Sequence, residues 1–205
     1  GTTWVGLFGL GSSNVTGDFI VSILVVSDGQ SDIRNESLRV LPREYVSERI
    51  RLNRAMTRLL STDIERRRRE ALEMASIVRT VNPDAVYHLD RLHNPVVGAR
   101  ETSFFGDRRT YEYSDGNRGY SVHEGWDLAA PTGTPVRSGG NGVVVMVAER
   151  VVSGLTVVIE HLPGVFTVYF HLDTVRVAQG DPVLQGRIIG TVGTTGLSTG
   201  PHLHW

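Results

Sequence analysis

Three short segments that contain histidine carry the residue types best suited to chemistry in this 205-residue chain. They are His123-Glu-Gly-Trp-Asp127, Tyr169-Phe-His171 and His202-Leu-His204. Side chains at positions i and i+2 of a strand project to the same face, so we expect His202 and His204 to enter one pocket. Two imidazoles and one carboxylate with an open fourth position are typical of a catalytic rather than a structural zinc site. Together the segments therefore indicate a catalytic metal site.

The spacing of His123 and Asp127 is compatible with two local structures. Residues four apart share one face of a helix. Gly125 between them, and the turn-forming run Ala129-Ala-Pro-Thr-Gly133 after them, favour a strand or loop instead. In an extended segment Glu124 would point away from the face of His123, so we do not predict that it acts as the general base.

The composition excludes several other kinds of active site. All 21 basic residues are arginine, and the chain contains neither lysine nor cysteine. Disulfides, thiolate nucleophiles, cysteine-based zinc sites, Schiff-base lysines and Walker-type phosphate loops are therefore excluded. The net charge is −1 and no basic patch stands out, so no nucleic-acid partner is predicted. Histidines, carboxylates, hydroxyls or a metal must supply the chemistry.

The sequence around the histidines resembles the lysostaphin-like (LytM-type) zinc metallopeptidases, which cut peptidoglycan cross-links. The resemblance covers residues 95–205 in the order that the family shows. The matching stretches are Phe105-Gly-Asp-Arg108, His123 to Val136, Gly139-Gly-Asn-Gly-Val143, Thr167 to Leu172, Val177 to Val183, Gly186-Arg-Ile-Ile-Gly190 and Gly193 to Trp205. Such an ordered series is far more specific than any one of its motifs.

The resemblance implies a mainly β catalytic domain with an antiparallel, barrel-like sheet related to the duplicated hybrid motif. Carried over position by position, it makes His123, Asp127 and His204 the ligands of one zinc ion per chain. His171 and His202 match the family's other two active-site histidines, and are expected to flank a metal-bound water as acid and base. The implied reaction is hydrolysis of peptide stems or cross-bridges of bacterial peptidoglycan, outside the cytoplasm.

A second function is an inactive LytM-type module that binds and activates a cell-wall amidase. Inactive relatives typically lose ligands, whereas all five positions are filled here, which favours catalysis. The other histidines and the nearby hydroxyls have simpler structural interpretations. These residues are His161 at a strand end, His88 and His93 in a linker, and Thr195, Ser198 and Thr199 in a glycine-rich loop.

The first sixty residues predict a small β module. Residues 19–26 are rich in β-branched side chains between turn signals, which predicts a buried strand with residues 4–10 and 37–41 as partners. Residues 45–60 fit both a helical stripe and an extended strand, and this choice stays open. The apolar runs fall far short of the roughly 20 residues that a membrane span requires, and residues 1–10 lack the features of a signal peptide.

One clear helix is predicted after this module. Thr62 lies three residues before Glu65, which is the spacing of a capping box. An inward stripe at helical intervals then continues until Asn82-Pro83 ends the pattern. Acidic residues interleave with the arginine run 66–69, so we interpret that run as a solvated face. The stripe consists of Ile64, Arg68, Ala71, Leu72, Ala75 and Val78.

After residue 96 the sequence is glycine-rich and predicts only strands, among them residues 141–147, 154–160 and 166–171. We therefore predict three parts, with boundaries after residues 60 and 94. They are an N-terminal β module at 1–60, a helix and linker at 61–94, and a zinc metallopeptidase domain at 95–205. The family usually continues beyond the position of Trp205, so we expect this domain to be C-terminally incomplete or unusually short. Three roles stay open for the N-terminal half: positioning on the wall, binding a cell-envelope protein, or covering the active-site groove.

Overall fold

The chain forms two compact units that meet in sequence between Val46 and Ser47. The computed structural model describes residues 9–12, 16–27 and 29–205. The division falls within the predicted N-terminal β module. The functional boundaries drawn at residues 60 and 94 remain a prediction.

The first unit contains one antiparallel hairpin. Strands β1 (Gly17–Ser27) and β2 (Gln30–Val40) pair along their whole length, from Gly17 opposite Val40 to Ser27 opposite Gln30. The predicted strand at 19–26 is therefore present, but its predicted burial is wrong, because Ile20 is 74% exposed and Val26 67%. Among the described residues of this unit, the two-stranded ribbon has no second layer against which to bury a face. The predicted partner at 37–41 is confirmed over residues 37–40, whereas the one at 4–10 lies mostly outside the described residues.

The segment that the sequence left open, residues 45–60, contains both kinds of structure. Strand β3 (Ser47–Arg51) comes first, and helix α1 (Arg54–Ser61) follows after two residues. The side chain of Asn53 caps this helix by accepting a hydrogen bond of 2.9 Å from the backbone N–H of Met56. The extended pattern and the helical stripe that the sequence shows over residues 45–60 thus belong to two consecutive elements, β3 and α1.

Helix α2 (Ile64–Arg79) is present where predicted, but its cap and its inward face differ from the prediction. Thr62 ends α1 instead of starting α2: its hydroxyl donates to the carbonyl of Arg58 at 2.8 Å, and Asp63 is the N-cap, without a side-chain hydrogen bond. Ile64 and Leu72 of the predicted inward stripe are 63% and 61% exposed. Polar contacts made by a different face of α2 hold the helix in place. The periodicity of its apolar residues therefore could not predict which of its residues face the protein.

Two further sheets form the rest of the second unit. β3 pairs in parallel with β5, and β5 pairs in antiparallel fashion with β6. The large sheet has nine strands in the described chain, in the order β12-β9-β10-β11-β14-β7-β4, with β13 joining β11 to β8. It is antiparallel and open at its edges, so the mainly β class is confirmed and the sheet is not a closed barrel. The strands not yet given bounds are β4 (Arg100–Ser103), β5 (Arg108–Glu112), β6 (Arg118–Val122), β7 (Asp127–Ala129), β8 (Pro135–Arg137), β9 (Gly142–Arg150), β10 (Gly154–Leu162), β11 (Val165–Val175), β12 (Pro182–Val183), β13 (Ile188–Val192) and β14 (His202–His204).

The apolar core lies on the large sheet. In β10, Val157 and Ile159 belong to it, and Val158 between them is also fully buried. Leu128 follows Asp127 and Leu203 lies between His202 and His204, so core packing fixes the strands that carry the site. Among the described residues, neither helix has the length and apolar character needed to cross a membrane. The core cluster consists of Val96, Leu128, Val136, Val144, Val157, Ile159, Tyr169, Leu172, Val183, Ile189, Val192 and Leu203.

Candidate metal centre

Strand pairing brings the three histidine segments together. β14 lies between β11 and β7, with His204 opposite both Phe170 and Asp127. His202 and His204 share one side of β14, as predicted: their ring nitrogens lie 3.8 Å and 3.0 Å from Oδ1 of Asp127. His123 directly follows β6 and Asp127 opens β7, so the predicted strand or loop, and not a helix, connects them.

Three side-chain atoms converge at one point. His123 Nε2 lies 3.1 Å from Asp127 Oδ1 and 2.9 Å from His204 Nδ1, and the latter two atoms are 3.0 Å apart. The three residues form the one group in the described chain that could hold a metal ion. Zinc bonds of about 2.0–2.1 Å place tetrahedral donors about 3.3 Å apart, which is close to this triangle. The donors fit zinc with little movement.

The surroundings of His123 also fit a metal ligand. Its Nδ1 lies 3.0 Å from the carbonyl oxygen of Phe104, and because a carbonyl only accepts, Nδ1 carries the proton. The hydroxyl of Ser103 lies 3.2 Å from the same nitrogen. This tautomer leaves a lone pair on Nε2, the atom that faces Asp127 and His204. Metal-bound histidines typically have such a partner on the opposite nitrogen.

The protonation states suit a cation. Burial opposes ionisation of Asp127, but its close contacts with the rings of His123 and His204 outweigh it and hold the pKa of Asp127 far below its usual range. Burial lowers the pKa of His204 despite the neighbouring carboxylate, so that ring stays neutral near pH 7. An ionised carboxylate and neutral imidazoles are the forms that bind zinc.

His171 lies beside this cluster in a strained conformation. Its φ of 61° is in the left-handed region, which costs a non-glycine residue of order 1–3 kcal/mol and is found mostly at functional sites. Its backbone N–H donates to Ser153 at 2.8 Å, and its Nδ1 donates to the carbonyl of Thr195 at 2.8 Å. Burial and the nearby His202 lower the pKa of His171 to about 3. The ring is therefore neutral and keeps a lone pair on Nε2.

His202 is held in the same manner. Its Nδ1 donates to the carbonyl of Gly200 at 2.8 Å, with the hydroxyl of Ser198 at 3.3 Å, and its Nε2 faces Asp127. The rings of His171 and His202 lie 4.8 Å apart between centroids. The structure thus brings together all five residues predicted for the site, with His171 and His202 beside the triangle of His123, Asp127 and His204.

Comparison with known proteins assigns this arrangement to a family. Residues 121–205, which contain the five site residues, match the sequence profile of peptidase family M23. Residues 121–205 therefore form a peptidase M23 domain. Within this M23 domain the predicted resemblance to lysostaphin-type enzymes is confirmed.

The M23 domain has relatives with known names. The chain is 43% identical over 111 residues to the DD-carboxypeptidase/endopeptidase Mpg of Neisseria meningitidis, which covers 54% of this chain and 25% of that protein. It is 42% identical over 106 residues to the peptidoglycan DD-endopeptidase ShyA of Vibrio cholerae, which covers 52% and 24%. The chain thus spans about a quarter of the length of these curated relatives.

Solved structures extend the likeness beyond the M23 domain. A Pseudomonas aeruginosa crystal structure assigned to peptidase M23 superposes with a TM-score of 0.69 at 26% identity, and covers 96% of this chain and 70% of that one. A zinc-containing peptidase from Vibrio cholerae superposes with a TM-score of 0.51 at 38% identity, and covers 57% and 36%. The first match includes most of the N-terminal half, whose fold is therefore also found in another M23 protein.

Arg109 is a polar neighbour of the metal centre that the sequence analysis missed. Its Nη2 lies 2.5 Å from Oδ2 of Asp127, and its side chain is 15% exposed. It precedes the M23 domain in sequence and sits next to Arg108 in the matching stretch Phe105-Gly-Asp-Arg108. The sequence could place Arg109 and Tyr111 on the same face of one strand, because alternate residues of a strand share a face. It did not show that this strand would lie next to Asp127.

Residues from the N-terminal half contribute to the walls around the metal centre. A cavity of about 380 Å³ is lined by His123, His171 and His204 on one side and by Arg67 and Glu70 of α2 on another. A small cavity of about 60 Å³ separates Asp127, His171 and His202 from three apolar side chains of β3 and α1 and the link between them. These three side chains are Ile50, Leu52 and Met56.

The remaining candidates of the sequence analysis lie around the site without entering the triangle. Glu124 is exposed and lines the rim of the 380 Å³ cavity. His161 is 1% exposed, with Nδ1 2.6 Å from the carbonyl of Asn141 and Nε2 2.7 Å from the hydroxyl of Thr167, which fits a structural role. The hydroxyl of Thr195 donates to the carbonyl of Leu172 at 2.8 Å and accepts from a backbone N–H, so it shapes the loop.

Proposed function

We propose that the chain is a zinc-dependent endopeptidase that hydrolyses peptide cross-links or bridges of bacterial peptidoglycan. The observation that carries the proposal is the convergence of His123 Nε2, Asp127 Oδ1 and His204 Nδ1 within 3.1 Å of one another, beside two further histidines. Three donors leave the fourth position of a tetrahedral ion open, which is the pattern of catalytic zinc. The match of residues 121–205 to peptidase family M23 supports the same chemistry.

In this proposal His123, Asp127 and His204 hold one zinc ion per chain. A bound zinc ion supplies a Lewis acid and lowers the pKa of a water molecule towards about 7. The carbonyl of Phe104 orients the ring of His123 through Nδ1. Burial excludes bulk water from Asp127, which strengthens its interaction with a cation.

His171 and His202 are the proposed acid and base. Each donates Nδ1–H to a backbone carbonyl, so Nε2 is the acceptor that remains for the proton of an attacking water. The ring that takes up the proton can then deliver it to the nitrogen of the leaving amine. The low pKa of His171 favours release of the proton from that ring, and the carbonyl partners hold Nδ1 of both rings in the protonated form.

The proposed substrate class and location come from the relatives. The Vibrio cholerae relatives are named peptidoglycan DD-endopeptidases, and the Neisseria relative is named a DD-carboxypeptidase/endopeptidase. We extend this class to the present chain, with action outside the cytoplasm where peptidoglycan lies. All five site positions are filled, which supports catalysis over the alternative of an inactive amidase activator.

The test is digestion of purified peptidoglycan from several wall types by the zinc-loaded protein, with the released fragments identified by mass spectrometry. We expect new amino termini from cut peptide bonds. His202→Ala should abolish cleavage while close to one zinc per chain remains bound, because its ring is not in the triangle. A zinc-loaded protein that leaves every peptide bond intact, yet stimulates an added amidase, would support the alternative function instead.

A role for part of the N-terminal half follows from its contacts. We infer that residues 47–61 cover the metal centre, which is one of the three roles open from the sequence. Ile50, Leu52 and Met56 face Asp127, His171 and His202 across the 60 Å³ cavity, which is too small for a peptide. A substrate that approaches Asp127 and His202 from this side would therefore have to displace this segment.

A further inference from the structure

The two carboxylate oxygens of Asp127 have different partners. Oδ1 faces the site, with His123 Nε2 at 3.1 Å and His204 Nδ1 at 3.0 Å. Oδ2 faces away and accepts from Nη2 of Arg109 at 2.5 Å. The carboxylate is 7% exposed, so water offers little competition for either oxygen.

The chain holds the Arg109 guanidinium from two sides. Arg109 lies on β5 opposite Glu48 of β3, and its Nε lies 3.5 Å from Oε2 of Glu48. Asp127 of β7 occupies the other side. A nearly buried guanidinium between two carboxylates is a costly arrangement unless both charges are satisfied. The contact with Glu48 is an ion pair without a hydrogen bond, because Nε of Arg109 has no hydrogen-bond partner among the described residues, and the hydrogen bond to Asp127 orients the guanidinium.

The mode by which a carboxylate binds a metal depends on which oxygens are free. A free carboxylate can bind a cation through one oxygen or through both. Binding through both would add a fourth protein donor to the triangle, which makes the site five-coordinate once a water molecule occupies the position that a catalytic zinc site keeps open. A charge-assisted hydrogen bond to Oδ2 opposes this, since that bond would have to break.

We propose that Arg109 is a positioning residue of the metal centre, which reserves Oδ2 of Asp127 so that the metal takes Oδ1 alone. This inference rests on the proposed metal site. Arg109 acts through Asp127 and does not touch the reacting atoms. Glu48 keeps the guanidinium aligned from the opposite side, and so links strand β3 to the geometry of the metal site.

The test uses the full chain loaded with Co²⁺, whose visible absorption is stronger in four-coordinate than in five-coordinate sites. Arg109→Gln should weaken the absorption bands relative to the unmodified protein. Zinc affinity, measured by competition with a chromophoric chelator, should fall about 10- to 100-fold, as is typical when a partner of a metal ligand is removed. The matched control is Arg118→Gln on the neighbouring strand β6, where the arginine side chain is 60% exposed. It should leave both measurements unchanged.

A second variant keeps the proposal testable if Arg109→Gln does not fold. Arg109→Lys retains the charge but lacks the planar fork that reaches both carboxylates, so it should give an intermediate spectrum and an intermediate affinity. A variant that folds and keeps the spectrum and the zinc affinity of the unmodified protein within twofold would overturn the inference. If the unmodified protein binds Co²⁺ and Zn²⁺ but cuts no peptidoglycan, the proposed function fails while the role of Arg109 stands.

Discussion

Gly125 offers a sharp test of the metal centre, because it lies between two proposed ligands and has no room for a side chain. A Cβ added at this position would lie 2.6 Å from Nε2 of His204 and 2.7 Å from the carbonyl oxygen of Trp205. Ordinary contacts of this kind are about 3.5 Å long. Gly125→Ala therefore requires a displacement of about 0.9 Å. Its φ is not among the left-handed ones, so this contact is the main effect.

The ring of His204 is the group expected to move. The carbonyl of Trp205 accepts from the N–H of Trp126 at 2.7 Å, and the N–H of Trp205 donates back at 2.9 Å, so the backbone there is held on both sides. A shift of about 0.9 Å takes Nδ1 of His204 away from its position 3.0 Å from Asp127. We expect zinc affinity to fall about 10- to 100-fold, or about 1.4–2.8 kcal/mol.

The assay is competition for zinc against a chromophoric chelator at neutral pH, together with thermal unfolding of the metal-free protein. Gly200→Ala is the matched control, because a Cβ there meets nothing within 4 Å and the residue lies in the loop next to His202. The control should bind zinc like the unmodified chain. If Gly125→Ala also keeps its affinity within twofold, then His204 does not ligate the metal as proposed and the reasoning is refuted.

Three further outcomes are expected. Leu52→Asp should loosen the covering segment and raise the rate of cleavage of a cross-linked muropeptide. The control Ile64→Asp, at a position that is 63% exposed, should leave this rate unchanged. An unchanged rate for both variants would contradict the covering role. Gly190→Ala should lower the free energy of unfolding in urea by about 2–3 kcal/mol, because a Cβ there would lie 2.3 Å from the backbone oxygen of Thr174. Burial lowers the pKa of His161, so below about pH 6.5 the unfolded chain takes up a proton that the folded chain excludes, and stability decreases as the pH falls. His161→Gln should therefore lose less stability between about pH 7.5 and 5.5 than the unmodified protein, and an equal loss would show that this residue does not contribute.

Some features of this protein could be predicted from short stretches of sequence, because they depend only on the backbone geometry and turn preferences of neighbouring residues. The i, i+2 spacing of His202 and His204 determines that both face one side of a strand, and the structure confirms it. Gly125 and the turn-forming residues after Asp127 favoured a strand or loop over a helix between His123 and Asp127, and the structure confirms this. Strands with β-branched residues between glycines were recognised for the same reason, as in β10.

Burial was predicted less well, because it depends on what lies against an element. The apolar residues of β1 have the composition of a buried strand, yet Val26 is 67% exposed in a two-stranded ribbon. In α2 the apolar stripe faces solvent while Glu70 accepts from the backbone N–H of Val151 at 2.9 Å. Polar anchoring of this kind has no periodic signature in the sequence.

The sequence by itself determined which residues are candidates for the site: His123, Asp127 and His204 as the predicted metal ligands, and His171 and His202 as the predicted acid and base. Only the tertiary structure decided how they are held. The pairing of β14 with β7 and the approach of β5 to Asp127 place the Arg109 guanidinium on Oδ2, although the two residues are 18 apart in sequence. Likewise, the position of Leu52 near His171 depends on β3 pairing with β5. Long-range strand pairing sets these contacts, and its register is decided by the whole packed sheet and not by any one segment.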